Sequence, residues 1–192
     1  MTATIDQGLV DRAVRAEPEA TAELLAQLRP GLVRYCRARL GRVGGAYTTA
    51  DDVAQEVCLA LLRALPRYRD QGRPFSAFVY AIAAHKVTDA QRAAVRDPAT
   101  APVERLAEIS DAAPGPEQQA VRTDLARRLS GLLGRLPEQQ REIVVLRVAA
   151  GLTAEEVGVI VGLTAAAVRV AQSRALARLR TLAGDTLGEV AA

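Results

Sequence analysis

The chain has 192 residues, 49% apolar and 24% charged, a size for one domain or two small ones and a composition typical of folded proteins. One histidine (His85), one lysine (Lys86, followed by Val87) and two cysteines 22 positions apart leave no HExxH zinc site, zinc knuckle or P-loop, and neither GxGxxG nor GxSxG occurs. Net charge is only +3 but unevenly spread, and no run reads as a bilayer span or signal peptide, which argues against a secreted or membrane protein.

Leu24, Leu28, Leu32, Cys36 and Leu40 recur at four-residue spacing and predict a first helix over about 19–41, with Pro30–Gly31 expected to kink or split it. Arg29, Arg34, Arg37, Arg39 and Arg42 lie in that stretch without an acid, a pattern that suits local polyanion contacts or a solvated helix face. Thr49 is placed to cap a second helix, with Asp51 and Asp52 at its positive end. Val53, Val57, Leu61 and Leu65 form the buried stripe of that helix, and Pro66 ends it. After the arginine-rich loop 67–74, a third helix runs from about Phe75 to Val95, with Phe78, Val79, Ile82 and Ala83 inward. Cys36 and Cys58 fall on apolar positions and read as buried free thiols of a reducing compartment.

Residues 97–116 hold Pro98, Pro102, Pro114 and Pro116 among small and acidic residues, so no continuous helix is expected there. All six aromatics precede this stretch. The expected fold is therefore all-α: a helical domain over 1–96, a flexible acidic linker over 97–116 and a second helical domain over 117–192.

In the second domain, Val121, Leu125, Leu129 and Leu132 predict one amphipathic helix over 117–133. Pro137 opens another at its first helical position, running to Gly151 with Ile143, Val144, Leu146 and Val148. Thr153-Ala-Glu-Glu156 is a capping box for a short helix to Val161. Gly162-Leu-Thr164 makes a turn, and Thr164 caps a longer basic helix to about Leu182. Short helix, turn and basic helix make a helix-turn-helix, whose second helix enters the major groove.

On that helix Thr164, Ala165, Ala166, Arg169, Val170 and Ser173 are the candidates for base contact, and Val168 should face inward against Val157 and Val161. Arg169 leads, because a guanidinium pairs bidentately with guanine. Arg174, Arg178 and Arg180 suit phosphates, which fix register without reading sequence. In the first domain, Asp51, Asp52, Gln55 and Glu56 suit either a solvated helix start or a protein contact. The loop 67–74 and third helix combine Arg73, Tyr80, His85, Lys86, Asp89 and Arg92 with Phe75 and Phe78. Aromatics beside arginines suit unstacked bases, although both phenylalanines fit a core stripe better.

These motifs, in this order, resemble the extracytoplasmic-function sigma factors of bacterial RNA polymerase. Asp51-Asp-Val-Ala-Gln-Glu-Val57 resembles the family's D-x-x-Q-E segment, and the resemblance implies that Asp52, Gln55 and Glu56 dock on the polymerase clamp helices. Phe75 to Ala83 resembles the segment that opens promoter DNA, and Ala84-His-Lys-Val-Thr-Asp89 stands where the minus-ten reader usually has R-N-x-x-x-D. Tyr80, His85, Lys86, Arg92 and Arg73 are the implied minus-ten contacts. Leu136 to Glu142 and the helix-turn-helix resemble region 4, which implies minus-35 reading by Thr164, Ala166, Arg169, Val170, Ser173, Arg174 and Arg178, and contact with the polymerase flap. The recognition segment is most similar to actinobacterial sigma D-type members. Ala84 and His85 depart from common family residues, so minus-ten preference does not carry over, and Ala171 in place of a frequent arginine leaves fewer direct contacts at the minus-35 element.

The resemblance further implies core RNA polymerase and promoter DNA as partners, an anti-sigma factor, a cytoplasmic setting, and no cofactor, metal, small-molecule substrate or enzymatic activity. The competing expectation is a stand-alone helix-turn-helix repressor, which needs a two-fold interface and a palindrome.

Overall fold

The structure is a computed structural model that describes residues 5–40, 49–96 and 116–190. Among them the order is α1 (Gln7–Val14), α2 (Pro18–Leu40), α3 (Ala50–Ala64), a 3₁₀ turn (Leu65–Arg67), α4 (Phe75–Arg96), α5 (Pro116–Gly134), α6 (Glu138–Val144) continued by a π-turn (Val145–Ala149), α7 (Ala154–Val161) and α8 (Ala165–Val190). No strand occurs among the described residues. Most of the expected linker, 97–115, lies outside them.

The predicted stripes of the first lobe are its core. Leu24, Leu28, Leu32, Cys36 and Leu40 of α2 pack with Val53, Val57, Leu61 and Leu65, and with Val79, Ala83 and Val87 of α4. Each such aliphatic side chain contributes about 1.5–3 kcal/mol when fully buried. That sum explains why α2 neither splits nor ends at Pro30. Proline in a helix interior costs about 3 kcal/mol, and the buried residues on both sides of it offset that loss. Helix α1, which sequence reading did not anticipate, is capped by Asp6 and buries Leu9, Val10 and Ala13 beside α2.

Two helical expectations change in the second lobe. Leu125 and Leu129 are 64% and 52% exposed, because α5 meets α8 only near its end, where Leu133 and Leu136 pack with Val144 and Ala175. Pro137 is the N-cap of α6 rather than its first helical residue. The π-turn that follows widens the helix and takes Val148 off the Val144 face, leaving it 62% exposed.

The two lobes pack on each other. One continuous core runs from Leu32 and Tyr35 through Tyr80 to Leu146, Ala150, Leu152 and Val157. Gly31 makes this approach possible: a Cβ there would stand 2.9 Å from the Tyr80 hydroxyl oxygen and 3.6 Å from the Ala150 carbonyl oxygen.

Candidate nucleic-acid interface

The helix-turn-helix forms as its caps dictate. Thr153 and Glu156 close a reciprocal capping box at the start of α7, and Gly162 takes the left-handed conformation (φ 72°) that turns the chain. The Ala167 amide donates to Thr164 Oγ1 at 3.2 Å, capping α8. Val157 and Val168 are fully buried between the two helices, as their spacing predicts, while Val161 is only partly buried. This packing turns Thr164, Ala166, Arg169, Val170, Ser173, Arg174 and Arg178 outward together. Arg169 is not free: its Nη2 donates to Glu155 Oε1 of α7 at 2.5 Å. Among the described residues no carboxylate pairs with Arg174, Arg178 or Arg180.

On α4 the exposed positions are Ala81, His85, Asp89, Arg92, Ala93 and Arg96, one helical stripe, with Arg73 exposed on the preceding loop. Tyr80 does not belong to this surface. It is 4% exposed and meets Tyr35 edge to face with ring centroids 5.3 Å apart, and burial raises its pKa. The expected minus-ten role of Tyr80 therefore finds no support in this closed arrangement, because its ring fills the junction between lobes. Phe75, Phe78 and Tyr68 instead pack among themselves, with centroids 4.9–5.9 Å apart, in keeping with the core reading of the two phenylalanines.

The start of α3 divides its polar residues between local and outward tasks. Asp51 accepts a two-pronged pairing from Arg37 at 2.8 and 2.6 Å. Asp52 closes a capping box with Thr49. Gln55 and Glu56 remain on the exposed face, which continues along the helix to exposed Leu59 and Leu62. Sequence reading missed those two leucines, although they lie one and two turns beyond Gln55 and Glu56. Lys86 Nζ reaches Glu56 Oε2 at 3.3 Å, so an implied DNA contact and an implied polymerase contact form one ion pair.

Three arginines of the α2 block, Arg34, Arg37 and Arg39, are engaged by protein groups, while Arg29 is exposed. Arg34 Nε donates to the Ala149 carbonyl of the π-turn at 2.7 Å. Arg39, 9% exposed, bridges to Glu138 at 2.6 Å and Glu142 at 3.1 Å. Beside it Tyr35 donates its hydroxyl to Glu142 at 2.9 Å, and Ser76 at the start of α4 donates to Glu156 of the α7 capping box at 2.8 Å. Burial, then the Glu142 charge, raises the Tyr35 pKa. Burial works against ionisation of Glu138, but Arg39 and Arg141 outweigh it and hold that carboxyl below its ordinary range. Arg42 lies outside the described residues.

No group of three or more His, Cys, Asp or Glu residues is arranged to hold a metal ion among the described residues. No helix among them is long and apolar enough to cross a membrane.

Comparison with known proteins identifies both helical regions. The Sigma-70 region 2 family model matches residues 24–97, and the Sigma-70 region 4 model matches 132–181. The ECF RNA polymerase sigma factor SigD of Mycobacterium tuberculosis is 56% identical over 180 residues, covering 92% of this chain and 84% of its own. The ECF RNA polymerase sigma factor ShbA of Streptomyces griseus is 54% identical over 183 residues, covering 94% and 96%. A solved structure of CnrH in complex with the cytosolic domain of CnrY is similar at a TM-score of 0.68 and 28% identity, covering 94% of this chain and 97% of that one. Two matched regions in order, a capped helix-turn-helix, and relatives above half identity along nearly the whole chain place it in the extracytoplasmic-function sigma factors of bacterial RNA polymerase.

Proposed function

We propose that this sigma factor docks on the polymerase clamp helices through Gln55 and Glu56, with Asp52 holding the start of α3 in place, captures separated minus-ten DNA along the His85–Arg92 stripe of α4, and reads the minus-35 element with the outward face of α8. The observation that carries this reading is the exposed row from Thr164 to Arg178 on a helix whose entry into a groove is set by two caps and a turn. Arg73, His85, Lys86 and Arg92 supply cations and hydrogen-bond groups at the other end, and contact with exposed bases offsets the unstacking cost, about a few kcal/mol per base.

The two elements are named for positions 25 base pairs apart, about 85 Å of duplex at 3.4 Å per pair. In the closed arrangement α4 packs directly on α7. One promoter therefore engages both surfaces only after the lobes separate, and binding energy from polymerase and DNA drives that opening.

The protein acts as a specificity subunit in the cytoplasm, with catalysis left to the polymerase. An anti-sigma factor is the expected regulator, and CnrH, solved with the cytosolic domain of CnrY, is the precedent for a bound partner chain. The relatives do not favour a stand-alone repressor. Co-elution with sigma-free core polymerase tests the reading: a stoichiometric complex supports it, and loss of the complex in Gln55→Ala with Glu56→Arg assigns the docking face. Unchanged binding by that variant removes the assignment.

A further inference from the structure

We infer that Glu155, on the first helix of the helix-turn-helix, is a positioning residue that sets base discrimination by Arg169, holding its guanidinium in one orientation on the recognition helix. The inference rests on the proposed minus-35 reading and adds to it the residue on which that specificity depends.

Glu155 and Arg169 meet across two helices, with Arg169 Nη2 at 2.5 Å from Glu155 Oε1. Each is mounted on a fixed frame. The Thr153–Glu156 capping box sets the start of α7, the Thr164 cap sets the start of α8, and buried Val157 and Val168 lock the helices together. The Leu163 amide, donating to the Gly158 carbonyl at 2.9 Å, ties the turn to α7 as well. Supports of this kind keep a site side chain within the small angular range that specific contact requires.

Geometry separates Arg169 from the other arginines of α8. Reading guanine takes two parallel N–H bonds from a planar fork, so the plane of the guanidinium matters. A phosphate needs a positive charge nearby and little else. Among the described residues, Arg169 is tied to a carboxylate while Arg174, Arg178 and Arg180 are not. A guanidinium carries five N–H donors, and Glu155 takes one at Nη2, which leaves donors for a base edge.

The pair does little for stability, since both side chains are about 60% exposed. Its effect lies in orientation and in charge. The Glu155 carboxyl is held below its ordinary range, by its own backbone amide first and by Arg169, so it is ionised at neutral pH. A carboxylate beside the groove also repels phosphates. Removing it should therefore lower discrimination while leaving sequence-independent affinity equal or higher. A purely structural role predicts instead that binding falls on every sequence together with the melting temperature.

The test uses the full chain with core RNA polymerase, bound at one fixed salt concentration to duplexes randomised across the minus-35 element. Arg169→Ala should erase the preference at one base pair, a loss of roughly 5- to 150-fold in relative affinity. Glu155→Gln and Glu155→Ala should weaken the preference at that same pair, with melting temperature and affinity for the randomised pool maintained. Wild-type preference in both Glu155 variants overturns the inference, as does a uniform loss across all base pairs with a lowered melting temperature. If Arg169→Ala itself leaves every preference intact, the reading of Arg169 as a base contact fails first, and the positioning role falls with it.

Discussion

The Tyr35 hydroxyl on α2 donates to Glu142 on α6 at 2.9 Å, joining groups 107 positions apart in the chain. Arg39, one turn along α2, adds ion pairs to Glu142 and Glu138. This polar seam joins α2 of the first lobe to α6 of the second, so its strength bears on how readily the lobes part. Arg39→Ala leaves Glu142, itself mostly buried, without its counter-charge. Breaking one partner of a buried pair costs about 3–5 kcal/mol, an upper bound here because the lobes can open and hydrate the carboxylate. The expected outcome is an expanded free protein, read as a larger radius of gyration by small-angle scattering, with polymerase binding retained.

Acid should loosen the same seam. The folded pKa of Glu138 lies below its unfolded value, so its contribution is present above the unfolded value of about 4.3 and lost as pH falls through the lower folded value. The closed arrangement should hold at neutral pH and loosen as pH falls below the ordinary carboxylate range, a change that fluorophore pairs on α2 and α6 report as increasing distance. Glu138→Gln should remove that part of the pH dependence.

Gly31 and Tyr80 form a contact that tests lobe packing without charge. A Cβ at position 31 would come within 2.9 Å of the Tyr80 hydroxyl oxygen. Gly31→Ala should destabilise the protein by about 1–3 kcal/mol, the usual range for overpacking. Removing the hydroxyl in the double variant Gly31→Ala with Tyr80→Phe should recover part of that loss. Thermal unfolding of the two single variants and the double variant gives the coupling energy directly.

The thiols should differ in reactivity. Cys36 is fully buried, and burial first, with nearby Cys58 and Asp51, pushes its pKa up to about 12. Cys58 is half-buried, its pKa raised by burial against the opposing charge of Arg29. At pH 8 a thiol reagent should modify Cys58 first and Cys36 only on unfolding. The raised Cys36 pKa also gives a sign: stability is fully present below the unfolded value of about 8.5 and is lost as pH rises through about 12.

Glu56→Gln should weaken polymerase binding and release Lys86, whose ammonium it otherwise holds at 3.3 Å. The expected readout is reduced co-elution with core polymerase together with slightly stronger, salt-sensitive binding of the free protein to single-stranded DNA.

Local chemistry made much of this protein legible in its sequence. The stripes of α2, α3 and α4, the Thr49, Thr153 and Thr164 caps, and the Gly162 turn depend on residues within a few positions of one another, so periodicity and capping rules find them. The outward row on α8 follows from the same periodicity once Val168 is placed inward.

Only the tertiary structure decided what lies far apart in the chain. The continuity of α2 through Pro30 depends on its buried neighbours, and the exposure of Leu125 and Leu129 depends on how little of α5 meets α8. The fates of Tyr80, Arg34 and Arg39 depend on a packing of one lobe on the other that no local pattern encodes. An arginine destined for phosphate and one destined for a buried glutamate look alike in a helix. The group that arrives opposite each from the distant lobe determines which it becomes.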